Sequence, residues 1–188
     1  MRKNLDESGL KSIVSKYDLF FIDIWGVLHN GIKLYEHAVK VLEELSINEK
    51  KFILLTNAPR PNLTVINTLK KMGLNNFSDT VFTSGEASRR YLLENFNNKK
   101  FFHLGPPKDF DLFKTFENNK VLNIDDSDYL LCSGLFEEYE DDLGYYKSLL
   151  TKHITKKMIC TNPDLIVDRG DKREYCAGSI AKSFEEIN

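Results

Sequence analysis

The chain has 188 residues, with 26 Lys and Arg against 28 Asp and Glu, a formal net charge of −2, and 41% hydrophobic residues. That is an ordinary globular composition, long enough to bury a sizeable core. The near-neutral balance gives no electrostatic footprint for a nucleic-acid partner. The longest apolar stretch, Leu19 to Leu28, is broken by Asp23 and is too short for a membrane span. The N-terminal MRKNLDESGL lacks the apolar region of a secretory signal. Three widely spaced cysteines, Cys132, Cys160 and Cys176, read as reduced thiols of a cytoplasmic protein rather than as a disulfide or zinc framework.

The first 84 residues alternate short apolar runs with amphipathic ones. Tyr17 to Ile24 is aromatic and branched, as in a strand buried on both faces of a parallel sheet. Glu36 to Ile47 carries Ala38, Val39, Leu42 and Leu45 at helical spacing. Lys51 to Leu55 is a second strand. Asn62 to Met72 is a second helix, stopped by Gly73. Asp79 to Phe82 is a third strand. This order predicts a βαβαβ unit with right-handed crossovers.

From residue 85 to 188 the rhythm changes and a second α/β domain is expected. It has helices over Ala87 to Phe96, Asp142 to Lys152 and Tyr175 to Ile187. Its strands are expected at Lys100 to Leu104, Lys120 to Ile124, Tyr129 to Ser133 and Met158 to Cys160.

Polar residues fall at the C-terminal ends of the three N-terminal strands: Asp23, then Thr56 and Asn57, then Thr83 and Ser84. In an open parallel sheet that edge is where ligands bind, and loop N–H groups there can hold a phosphate. Taken singly, each is accounted for by strand ending or helix capping. Together they point to an Asp that serves a phosphoryl group as nucleophile or metal ligand. No G-x-S-x-G, P-loop or dinucleotide motif occurs. The four histidines show no metal-ligand spacing, and His29 is the one nearest Asp23.

The wording of these segments resembles the haloacid dehalogenase (HAD)-like hydrolases, class IIA. The matching segments are FFIDIWGVLHNG, LLTNAPRP, FTSGEA, CTNPDLIV and the C-terminal AGSIAKSFEEI. The D-x-W-G-V wording resembles one branch of that class. The resemblance implies a HAD-type Rossmann-like parallel sheet, present as its N-terminal half over 1–84, with an inserted α/β cap over 85–188. It implies hydrolysis of a small phosphate monoester through an aspartyl-phosphate, with Mg²⁺. Asp23 matches the nucleophile and metal ligand, and the Trp25 backbone carbonyl the second protein contact to the metal. Thr56 and the Asn57 N–H match the phosphoryl-holding groups. Asn162 and Asp164 match a cap motif that faces the core and are candidates for substrate contact; the alternative is an Asn-Pro turn with a capping Asp.

Two departures follow from the resemblance. The family's second Asp, the general acid and base, is replaced by Trp25, whose indole exchanges no proton with a leaving alkoxide. The Lys and distal Asp motifs that follow the cap find no match, since Lys172 and Lys182 lie within the cap region. Either another group protonates the leaving oxygen, His29 being nearest in sequence, or the leaving group needs no acid, or activity is weak. With the missing motifs, the expectation is an impaired phosphatase. The alternative is an inactive remnant or subunit that binds a phosphorylated ligand. In either case Tyr17 to Ile24 is expected at a sheet edge, free to form a homodimer or to meet a partner chain that supplies the other core half.

Overall fold

The computed structural model describes residues 9–77 and 80–188. Its first sheet holds three parallel strands in the order β1 (Leu19–Asp23), β2 (Lys51–Thr56) and β3 (Val81–Thr83). The connections are α1 (Glu36–Ile47) and α2 (Asn62–Lys71). Asp79, expected to open the third strand, lies outside the described residues.

Because the strands advance in one direction, right-handed crossovers put both helices on the same face. Phe20, Ile22, Phe52, Leu54 and Val81 meet Leu42 and Leu45 of α1 and Val65 and Leu69 of α2 there in one core. The opposite face receives no crossover. β1 therefore departs from the expected strand buried on both faces: its residues alternate in exposure, with Leu19 at 43% and Phe21 at 64%.

α3 (Ser84–Asn95) leads from β3 to the second sheet, and its Leu92 is buried among that sheet's residues. This sheet is parallel, in the order β5 (Lys120–Val121), β4 (Phe101–Leu104), β6 (Tyr129–Cys132) and β7 (Lys157–Cys160). Here a strand is buried on both faces: β6 sends Leu130 and Cys132 into one core and Tyr129 and Leu131 into the other. α4 (Leu143–Thr151) and α5 (Ala177–Ile187) close the first of these through Tyr146, Leu150, Ile180 and Phe184.

Two expectations are corrected in this half. Lys120 to Ile124 forms only the two-residue β5 before a 3₁₀ turn at Ile124–Asp126, where the Asn123 side chain accepts the Asp125 N–H and ends the strand. Tyr175 does not open the last helix. It ends an antiparallel hairpin of β8 (Ile166–Arg169) and β9 (Lys172–Tyr175), whose two-residue turn places Gly170 at φ 60°. Cys132, Cys160 and Cys176 are free thiols. No described helix is long and apolar enough to cross a membrane.

Candidate active site

Strand register brings the expected residues together. Asp23 at the end of β1 pairs with Leu55, so Thr56 ends the neighbouring strand one residue beyond it. Asp23 is exposed, and its Oδ1 accepts the Ile24 N–H at 2.8 Å. The loop that follows folds tightly back. The Ile24 carbonyl accepts N–H groups of Val27, Leu28 and His29, and the His29 carbonyl accepts that of Gly26 at 2.8 Å. Gly26 sits at φ 75°, a conformation open to glycine at little cost. Among the described residues no main-chain N–H is directed at the Trp25 carbonyl. Thr56 Oγ1 accepts the Ala58 N–H at 3.2 Å, which leaves the hydroxyl proton to donate elsewhere.

The third strand end does not join this group. Thr83 is buried; its hydroxyl donates to the Arg60 carbonyl and accepts the Glu86 N–H at 2.9 Å, as the N-cap of α3. Here the capping account holds and the ligand account does not.

The segment after β7 reaches the same edge from the second sheet. The Asn57 side-chain amide donates to Asp164 Oδ1 at 2.9 Å. Asn162 Oδ1 accepts the Asp164 N–H at 3.0 Å, the local turn that an Asn-Pro pair favours. Asn162 thus holds Asp164, and Asp164 meets Asn57. Further along, the carbonyl of Asp168 in the hairpin accepts the Trp25 indole N–H at 3.1 Å, and the Arg169 guanidinium lies 5.8 Å from the Trp25 ring centroid. The hairpin was not legible as part of the site, although the Gly170-Asp171 dipeptide between two four-residue runs was a usable turn signal.

His29 is buried behind Asp23 and Trp25. Its ring makes an edge contact with Trp25, with centroids 5.2 Å apart, and its Nδ1 accepts the Gly31 N–H at 2.8 Å. That bond assigns the proton of the neutral ring to Nε2. Burial lowers its pKa, partly offset by the negative charge of Asp23. A neutral imidazole with one nitrogen already occupied is a poor acid for a leaving group.

A second polar chain lies deeper. Arg60, four residues past Thr56, donates to Asp109 Oδ1 at 3.2 Å. Ser133 Oγ donates to Asp109 Oδ2 at 2.9 Å, and His103 Nε2 lies 2.8 Å from Ser133 Oγ. Asp109, Ser133 and His103 are 3%, 3% and 5% exposed. Although Ser, His and Asp are present, the order is wrong for a nucleophile: the serine proton goes to Asp109, so His103 must donate to the serine rather than take its proton. The chain is instead a buried tie between the loop after β2 and the second sheet. No sequence spacing signals it, because its members are drawn together only by the fold.

Three His, Cys, Asp or Glu side chains converge nowhere among the described residues. The oxygens at the β1 end nevertheless suit a hard cation: one carboxylate with Oδ2 outside the Ile24 bond, and one carbonyl outside the loop's own hydrogen bonds. Mg²⁺ is commonly held by one or two carboxylates, completing its shell with water and phosphate.

The haloacid dehalogenase-like hydrolase family model matches residues 20–117, just over half of the chain. A haloacid dehalogenase-like hydrolase from Brucella suis 1330 is 27% identical, with a TM-score of 0.85, covering 100% of this chain and 70% of its own. A 4-nitrophenylphosphatase from Thermotoga maritima is 28% identical, with a TM-score of 0.68, covering 93% of this chain and 66% of its own. The chain thus spans about two thirds of the length of these relatives. No curated protein matches it. The family match, together with a likeness to the Brucella hydrolase along the whole chain, shows that this chain belongs to the haloacid dehalogenase-like hydrolases.

Proposed function

We propose that the chain is a class IIA phosphatase of small phosphate monoesters, working through an aspartyl-phosphate on Asp23. The observation that carries this reading is the strand register, which sets an exposed carboxylate beside Thr56 at one parallel-sheet edge. A carboxylate oxygen of Asp23 forms a bond to phosphorus as the ester P–O bond breaks, and the leaving oxygen takes a proton from solvent. Water then attacks phosphorus, releasing phosphate and restoring the carboxylate. The Thr56 hydroxyl and the Asn57 N–H donate to the phosphoryl oxygens, whose charge grows in the transition state. Asp23 and the Trp25 carbonyl would hold Mg²⁺, which when bound offsets phosphoryl charge. Asn162 and Asp164 border the substrate from the cap, through the contact of Asp164 with Asn57.

Trp25 and a neutral His29 supply no acid for the leaving group, a loss of typically ~10²–10⁴ in rate. Esters of good leaving groups should escape most of it. 4-Nitrophenyl phosphate should therefore be turned over at least about 10²-fold faster than an alkyl phosphate, in line with the same range. In the same assay Asp23→Asn should abolish turnover while leaving the unfolding transition unchanged. Undiminished turnover in that variant would remove the mechanism.

A further inference from the structure

We infer that Trp25 is a positioning residue that latches the β8–β9 hairpin across the strand edge carrying Asp23. The indole stands at the site mouth, two residues past Asp23, and its N–H is spent on the Asp168 carbonyl at 3.1 Å. The Arg169 guanidinium packs on its face, where the ring quadrupole attracts a cation. The ring's other contacts fix it on the core side. His29 meets it edge-on, and a Cβ on Gly31 would stand only 2.6 Å from its Cη2, so Gly31 leaves the room the ring occupies. The hairpin itself is weakly tied. It has two strands, its Asp168–Arg173 and Lys172–Glu140 pairs are exposed, and exposed pairs contribute little. One indole hydrogen bond and one cation–π contact are therefore a large share of what holds it down. Asn57 to Asp164 is a second tether at the base of the same segment. The position that could carry an acid carries instead the side chain that sets where the cap hairpin lies, and hence what groups of a substrate pass beneath it.

This inference rests on Asp23 being the reacting residue, so its test is independent of turnover. Trp25 is the single tryptophan of the chain, and its fluorescence reports the latch directly. Hydrogen exchange by mass spectrometry is compared in wild type, Trp25→Phe and Asp23→Asn. Trp25→Phe keeps a ring and loses the donor. Amides of 166–175 should then exchange about 2- to 10-fold faster, the range one net hydrogen bond corresponds to, with β6 unchanged. Asp23→Asn should leave hairpin exchange at the wild-type rate even where it abolishes turnover. Arg169→Ala, a change on the exposed hairpin that leaves the fold intact, should red-shift Trp25 emission and raise its quenching by acrylamide. Unchanged hairpin exchange in Trp25→Phe, or unchanged emission and quenching in Arg169→Ala, would overturn the latch.

Discussion

His103 is held neutral in the fold. Burial, with a smaller push from the charge of Lys120, lowers its pKa to about 3. Unfolded, it titrates near the ordinary histidine value, so between these two values the unfolded chain binds a proton that the folded chain refuses. Stability from this residue is complete above about pH 6.5 and is lost on acidification at about 1.4 kcal/mol per pH unit. Asp109, whose pKa burial raises, works in the opposite sense at the acid end of that window, and the Ser133 hydrogen bond, then the charge of Arg60, moderate its shift. Urea melts between pH 7 and 5 should show stability falling on acidification, and His103→Gln should reduce that slope without abolishing it, because burial lowers the pKa of His29 as well. A slope unchanged by that substitution would place the acid sensitivity elsewhere. At this scale Asp23, Thr56 and Asn57 were legible because strand patterning and polar strand ends lie close in sequence. The Arg60–Asp109–Ser133–His103 chain and the Trp25–Asp168 contact were not, because each joins residues that only tertiary packing brings near.

At the scale of elements, the start of α3 is pressed against the loop after β2. Gly85 donates its N–H to the Ala58 carbonyl at 3.0 Å, and a Cβ there would lie 2.1 Å from the Arg60 nitrogen. Backbone cannot swing aside as a flexible side chain does, so Gly85→Ala should cost at least about 1–3 kcal/mol, the usual price of overpacking. Thermal melts would register it as a clear fall in Tm, and an unchanged Tm would mean that the loop yields freely. α1 spans Glu36–Ile47, the bounds its sequence predicts, because a 3.6-residue apolar period over three turns has few competitors. The one-sided burial of β1 is not written in its sequence. An unbroken apolar run looks alike whether one or both faces are covered, and coverage depends on which side the crossovers take. No element is predicted from sequence over 166–174, and the last helix is predicted to start at Tyr175, which in the structure ends β9. Two four-residue strands carry too little periodicity to stand out, and only the Gly170-Asp171 turn marks them.

At the scale of the whole molecule, β1 pairs only with β2 among the described residues, and it carries Leu19 and Phe21 on an exposed face with no Pro or Lys inside the strand. Such an edge is a template for strand pairing, and a second copy of the chain is the partner always present. The 188-residue chain should self-associate in a concentration-dependent way, and Phe21→Lys should shift it toward monomer. Light scattering after size exclusion checks both; a monodisperse monomer at high concentration would show that the edge is protected.

The claim on which the functional account turns is that Asp23 becomes phosphorylated. Borohydride added during turnover of 4-nitrophenyl phosphate with Mg²⁺ would reduce an aspartyl-phosphate to homoserine, and peptide mass spectrometry would locate it. The account predicts homoserine at position 23 in the wild-type chain and none in Asp23→Asn. Turnover with residue 23 unmodified, or modification at another carboxylate, would contradict it.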